Sequence, residues 1–138
     1  MTEPALLPDV EEVFTQWLTA QSALSGVIVC TSLPITYDGS QRVVRLDRIG
    51  GAADYLMRID RPRLDVDCWG PSKAAASDLT ALVRRLLLVD LIQGANLSQW
   101  SCSISDVRED VGPQYLDEPD YPPAGRYLMQ ITAVVHSA

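Results

Sequence analysis

The sequence predicts an α+β fold in which two helices pack on one face of a mostly antiparallel mixed sheet. Two segments with helical periodicity are separated and followed by segments that alternate apolar and polar residues, as strands do. Their order, α-β-β-β-α-β-β, indicates an α+β sandwich rather than a parallel α/β sheet. The 138 residues contain no internal repeat or linker, and this length is enough for one domain with its own core. We therefore predict a single domain over residues 1–138.

The first helix is predicted over Asp9–Ser22. Asp9 followed three residues later by Glu12 resembles a capping box. Ser25-Gly26 then ends the helix. The apolar residues that follow the cap recur at helical spacing and should face the core: Val10, Val13, Phe14, Trp17 and Leu18.

Three strands are predicted next. Val27–Thr31 reads as a short buried strand, and Arg42–Arg48 alternates as a half-buried one. Arg63–Trp69 alternates most clearly. Leu64, Val66 and Cys68 should face the helices, and the opposite face should carry Asp65, Asp67 and Trp69.

The second helix is predicted over Lys73–Ile92. Gly70-Pro71-Ser72 supplies a turn and a cap, and Gly94 ends the helix. Its wide apolar surface should be largely buried. One apolar stripe is predicted to contain Ala75, Leu79, Leu82, Leu86 and Val89, with Val83, Leu87 and Leu91 beside it.

Two strands complete the predicted sheet. The first contains Trp100, Cys102 and Ile104, and Val107 breaks its alternation as a β-bulge would. Residues 110–125 include four prolines and several acidic residues, so we predict a long exposed loop over Gly112–Gly125. Arg126–His136 alternates again and forms the last strand.

Charge and hydropathy restrict the functional classes. The formal net charge is −7 and Lys73 is the only lysine, which argues against binding nucleic acid through clustered basic residues. The apolar run around Leu86–Ile92 is too short and too charged to span a bilayer. The N-terminus, with Glu3 and no apolar stretch, lacks the pattern of a secretory signal. We expect a protein that stays in the cytoplasm where it is made.

Catalytic chemistry has one weak candidate. Asp65 and Asp67 share a strand face about 7 Å apart, which could suit a metal ion or an acid–base pair, but the ordinary interpretation is a solvated face opposite arginines. The single histidine, His136, lies close to the C-terminus. Three dispersed cysteines, Cys30, Cys68 and Cys102, read as buried thiols. No catalytic, cofactor or metal motif is present, so we expect no enzyme, cofactor or metal.

Aromatic residues suggest protein contacts instead. Trp17 and Trp100 fall on apolar faces and are predicted to lie in the core. Trp69 lies on the polar side of its strand, where it could be strand-end packing or an interface anchor. The other candidates for a subunit or partner interface lie in or beside the proline-rich segment: Tyr115, Leu116, Tyr121 and Tyr127.

The chain as a whole resembles the tail terminator proteins of long-tailed phages that infect actinobacteria. The resemblance covers nearly the full length through LPDVEEVFTQWL, VVRLDRIGG, RPRLDVDCWGPSKAAASDLTALVRRLL and GPQYLDEPDYPPAGRYLMQITAVV. Its most specific parts are Arg61–Leu87, the GP-x-YL motif at Gly112–Leu116 and RYL at Arg126–Leu128.

This resemblance implies a virion protein that forms a hexameric ring at the head-proximal end of the tail. It implies that the ring halts polymerisation of the tail tube protein, joins the head–tail connector proteins and lets DNA pass without specific binding. We expect the Asp65 and Asp67 face, or adjacent loops, to line an acidic lumen. Two alternatives remain: another neck protein, such as a connector or stopper, and a small metal-dependent hydrolase that uses the two aspartates.

Overall fold

The first helix begins at a side-chain cap. The computed structural model describes residues 6–137, apart from the side chain of Tyr55. Helix α1 spans Val10–Thr19, and the Asp9 carboxylate accepts hydrogen bonds from the backbone N–H groups of Glu11 and Glu12. The helix is shorter than predicted, because Ser22–Leu24 forms a separate 3-10 turn. Asp9 is confirmed as the cap, but the Glu12 carboxylate accepts from the Gln16 side chain instead of completing a capping box.

Within residues 6–137 the sheet has six strands, one more than the sequence predicts. In chain order they are β1 (Ile28–Cys30), β2 (Val43–Gly50), β3 (Ile59–Asp60), β4 (Arg63–Gly70), β5 (Cys102–Asp117) and β6 (Gly125–Ser137). The order across the sheet is β1-β2-β4-β6-β3, with β5 on the other side of β6. Only β1 and β2 are parallel among these pairs. The predicted mostly antiparallel mixed sheet is confirmed.

The second helix is continuous to Gly94 but changes its winding. Helix α2 spans Lys73–Arg85, a π-helical segment follows at Leu86–Asp90, and a last turn, α3, spans Leu91–Gly94. The Ser72 hydroxyl caps α2 by accepting from the Ala75 N–H. A Cβ on Gly70 would stand 2.5 Å from the Ala76 nitrogen, so the strand and the helix meet closely only because this residue is glycine.

Both helices pack on one face of the sheet, as predicted. The core joins Phe14 and Leu18 of α1 and Leu79, Val83 and Leu87 of the second helix to the inward side chains of the strands. Leu64, Val66 and Cys68 pack into this core, whereas Trp69 belongs to a separate cluster on the other face, which confirms the alternation predicted for β4. The predicted helix stripe is partly wrong, because Ala76 is buried while Val89 is 40% exposed.

The predicted loop over Gly112–Gly125 is wrong in its first half. Strand β5 continues to Asp117 and pairs with β6 as far as Asp117 opposite Gly125. Pro113 fits because β5 has only β6 as a partner and its register shifts between Val111 and Gln114; an edge position and a bulge both tolerate a missing N–H. The irregular segment is confined to residues 118–124. The bulge predicted near Val107 falls between Ile104 and Asp106.

Candidate interaction site

Trp69 lies inside the subunit rather than on its surface. Its side chain is 1% exposed, and its Nε1 donates a 2.9 Å hydrogen bond to the Glu118 carboxylate. The guanidinium groups of Arg45 and Arg126 lie 5.0 and 5.4 Å from the centre of its ring. Of the two interpretations of Trp69, strand-end packing is therefore correct. The prediction of a directly exposed anchor is wrong for the folded subunit, because two loops cover this end of the sheet.

Asp67 belongs to the same buried cluster. Its side chain is 3% exposed and lies 2.8 Å from the Arg45 guanidinium and 3.7 Å from that of Arg126. The charge of Asp67 is thus compensated within the subunit. A carboxylate in this position neither faces open solvent nor is free for acid–base chemistry, so its predicted place on an acidic lumen face is wrong.

Asp65, two residues away on the same face, has a different environment. It lies directly opposite Asp47 on β2 and Gln130 on β6. One carboxylate oxygen of Asp65 is buried without a hydrogen-bond partner. Two carboxylates therefore face each other across neighbouring strands, an arrangement in which like charges repel. Within residues 6–137, no group of three or more His, Cys, Asp or Glu side chains could hold a metal ion.

The turn between β5 and β6 forms an acidic tip, which we define as residues 117–124. Its Tyr121 ring packs edge-on against Tyr37 at 5.1 Å, and Tyr37 in turn packs near Trp69 at 6.3 Å. The hydrogen bond from Trp69 to Glu118 ties the tip to β4. Asp117 and Asp120 stay exposed, and Tyr121 is 38% exposed. The tip is therefore preorganised and presents carboxylates beside an aromatic ring.

Tyr115 and Tyr127 lie together at the base of the tip. Their rings are 5.4 Å apart, and the Lys73 ammonium stands 4.3 Å above the Tyr115 ring. Both tyrosines and Leu116 are half-buried. Of the predicted interface residues, Tyr121 is thus the most exposed, and the other tyrosines support the tip from the helix side of the sheet.

The predicted site omitted an apolar cleft on the second helix. The cleft has a volume of about 320 Å³ and is lined by Ala81, Arg84, Arg85, Leu88 and Val89. Arg84 is held by Glu109 of β5 through two contacts of 2.6 Å. The sequence interpretation centred the buried stripe on Ala75, Leu82 and Val89. The buried line of the helix instead runs through Ala76, Val83 and Leu87. At about 100° per residue, Val89 lies well away from that line and is exposed.

A second omitted feature is the loop between β2 and β4. Leu56 and Met57 are 58% and 57% exposed and adopt left-handed backbone conformations, which are costly for apolar side chains with a Cβ. Gly50-Gly51 indicated only that a flexible loop begins here. No pattern in the sequence predicts these two exposed apolar residues.

The cysteines and the histidine take structural positions. Burial raises the pKa of the Cys68 thiol to about 12, and burial also raises the pKa values of Cys102 and Cys30. Cys68 and Cys102 are buried as predicted, whereas Cys30 is only half-buried. His136 lies 2.8 Å from the Ser105 hydroxyl across the β5–β6 ladder.

The acidic tip and the apolar cleft are exposed surfaces whose chemistry suits contacts with other proteins. The chain matches the family described as phage tail termination protein over residues 6–121, which is most of its length. It therefore belongs to this family and is a structural protein of phage tail assembly, located in the virion tail. No curated protein sequence matches the chain. Among the described residues, no helix is both long and apolar enough to cross a membrane.

Proposed function

We propose that this protein caps the head-proximal end of the tail tube as a ring, most simply a hexamer. In this role it ends polymerisation of the tube protein and forms the surface that the head–tail connector joins. The tail would be that of a long-tailed phage of actinobacteria, and the role requires no catalysis. The match to the tail termination family over residues 6–121 is the observation that carries the proposal.

The surfaces of the subunit support a ring. A cyclic oligomer of more than two copies needs a heterologous interface, in which one surface of each subunit meets a different surface of the next. The acidic tip and the apolar cleft are two such surfaces. They differ in chemistry, since the tip carries the exposed Asp117 and Asp120 while the cleft is a shallow, largely apolar surface of the second helix beside Arg84 and Arg85.

The charge of the subunit supports passage of DNA through the ring. The net charge of −7 gives the assembled ring a repulsive field toward phosphate. With Asp67 paired internally, we assign the acidic lumen to Asp47 and Asp65 on the sheet face. Asp47→Lys with Asp65→Lys should slow DNA passage or make particles retain DNA. Normal infectivity and no retained DNA would contradict this assignment.

The capping role is tested by tail length. Tube protein polymerised without this protein should give tubes of uncontrolled length, and adding the purified protein should stop growth and leave a ring visible at one end by electron microscopy. Capped tails should then join heads in an infectivity assay, whereas uncapped tubes should not. Tubes that grow equally long with and without the protein would overturn the proposal.

The same assay distinguishes a tail terminator from another neck protein, such as a connector or stopper. A connector or stopper would bind purified DNA-filled heads in the absence of tails and would leave tube length unchanged. A tail terminator should bind tubes first and heads only afterwards. The hydrolase alternative depends on Asp65 and Asp67, so Asp65→Asn should abolish activity if that alternative is right and should leave capping unchanged if ours is.

A further inference from the structure

We propose that the acidic tip of one subunit docks into the apolar cleft on the second helix of the next subunit around the ring. This inference rests on the proposed ring and names the contact that builds it. The partner is a second copy of this chain. The two surfaces involved are the tip, residues 117–124, on one copy and the cleft, within Ala81–Val89, on its neighbour.

The tip is built to bind without reorganising. Glu118 is held by the Trp69 indole at 2.9 Å, and Tyr121 is held by Tyr37. Asp117 and Asp120 take no part in these contacts and remain exposed. A segment that is already ordered loses little conformational entropy on docking, which favours binding.

The cleft carries apolar side chains and a positive charge that complement the aromatic ring and the carboxylates of the tip. Val89, which is 40% exposed, and half-buried Leu88 supply apolar area for an aromatic ring. Arg85 is exposed and makes no ion pair within residues 6–137. Arg84 already has Glu109 as its partner. Arg85 is therefore the charge on the rim that is free to meet an aspartate of the tip.

One chain cannot make this contact with itself. Lys73, at the start of α2, stands over the Tyr115 ring at the base of the tip. The cleft begins eight residues further along the helix and extends to Val89, about 12 to 24 Å away at 1.5 Å per residue. The tip and the cleft thus lie toward opposite ends of the helix. A contact between them must join two copies and is heterologous, as a ring requires.

Charge distinguishes the tip from the other exposed apolar segment. The loop that carries Leu56 and Met57 could also fill an apolar groove, but its next residue is Arg58, which is exposed and unpaired among the described residues. Arg58 beside Arg85 would place like charges together. The tip instead brings carboxylates, so the tip is the occupant that the cleft favours.

A charge exchange tests the contact. Arg85→Glu and Asp120→Arg should each raise the protein concentration needed to cap tail tubes by about tenfold or more, because each places like charges at the interface. Combining both substitutions in one chain restores opposite charges and should return capping to within about threefold of the unaltered protein. Arg42→Glu is the matched control, since Arg42 is exposed and lies outside both surfaces; it should leave capping unchanged.

A cross-link supplies a second, independent measurement. Val89→Cys together with Asp120→Cys should give a ladder of covalent oligomers when capped tubes are oxidised, and Val89→Cys alone should not. Single charge variants that cap normally, or a doubly substituted protein that caps tubes but yields no ladder, would overturn the docking proposal while leaving the capping role intact. Failure of the unaltered protein to cap tubes would instead overturn the proposed function.

Discussion

Asp67→Asn should destabilise this protein strongly, whereas Asp65→Asn should not. The two aspartates are two residues apart on the same strand and the same face. Asp67 is 2% exposed and ion-paired with Arg45 at 2.8 Å. Asp65 has a buried oxygen without a partner and faces Asp47. Asp67→Asn therefore weakens a buried ion pair, whereas Asp65→Asn relieves repulsion between two carboxylates.

The expected cost at Asp67 follows from its partners. Removing one member of a fully buried ion pair costs about 3–5 kcal/mol. The side chains of Arg45 and Arg126 are each 29% exposed, so water partly compensates them, and asparagine can still accept one hydrogen bond. We expect a loss of about 2–3 kcal/mol for Asp67→Asn, which corresponds to a fall in Tm of roughly 7–10 °C for a domain of this size. Asp65→Asn should lie within about 0.5 kcal/mol of the unaltered protein or be slightly stabilising.

Urea unfolding at pH 7, followed by circular dichroism, measures both variants under the same conditions. The dependence of the free energy of unfolding on urea concentration should be equal for all three proteins. A shift in the unfolding midpoint then reports the difference in free energy of unfolding. Equal losses for the two variants, or a larger loss for Asp65→Asn, would refute the assignment of Asp67 to a buried ion pair and of Asp65 to an unpaired position.

Three further predictions concern other parts of the fold. At pH 8 the Cys68 thiol should resist alkylation in the native protein and react on unfolding, because burial raises its pKa to about 12; mass spectrometry of the labelled peptides checks this, and rapid native labelling would contradict it. A hydrogen bond from Thr132, together with neighbouring arginines, lowers the pKa of the Asp110 carboxyl. The ionised Asp110 carboxylate therefore contributes its full stabilisation above its unfolded pKa, about 3.9. This contribution is lost as the pH falls through the lower pKa of the folded state. Asp110→Asn should make the loss of stability in acid less steep, and an unchanged acid profile would contradict this prediction. Glu118→Ala removes the acceptor for Trp69 Nε1 and should cost about 1–2 kcal/mol. It should also speed hydrogen exchange at the tip while leaving α1 unchanged, and equal protection throughout would contradict the proposed tether.

Local patterns in the sequence predicted much of the fold. The cap at Asp9 and the alternation of Arg63–Trp69 both depend on residues close together in the chain, and both are confirmed. The same alternation correctly placed Asp65, Asp67 and Trp69 on one face of β4, away from the helices. Periodicity identifies a face because side-chain direction is set by the backbone alone.

What covers that face could not be read from periodicity. Glu118 reaches Trp69 from 49 residues away in the chain, and Tyr37 arrives from another loop. Contacts between residues so far apart in the sequence depend on where the sheet places its strands. The sequence therefore left Trp69 open between strand-end packing and an interface anchor, and it overestimated the exposure of Asp67.

The candidate interaction site was predicted only in part. The proline-rich segment suggested an interface, and Tyr121 at its tip is exposed. Composition argued against regular structure before Asp117, yet the free edge of β5 accommodates Pro113. The cleft was missed because the wide apolar surface of the second helix allows more than one buried stripe, and the sheet packs against Ala76, Val83 and Leu87 instead of the stripe that contains Val89.

The sequence by itself determined the α+β class, the caps and periods of the main elements, and the resemblance to tail terminators, because each depends on neighbouring residues or on the pattern of the whole chain. Only the tertiary structure decided that Asp67 and Trp69 are buried, that residues 117–124 form an acidic tip tethered to β4, and that the second helix carries an apolar cleft. Those features depend on distant segments brought together by the sheet. The position of each strand, rather than its composition, determines which charges are paired internally and which remain available to a neighbouring subunit.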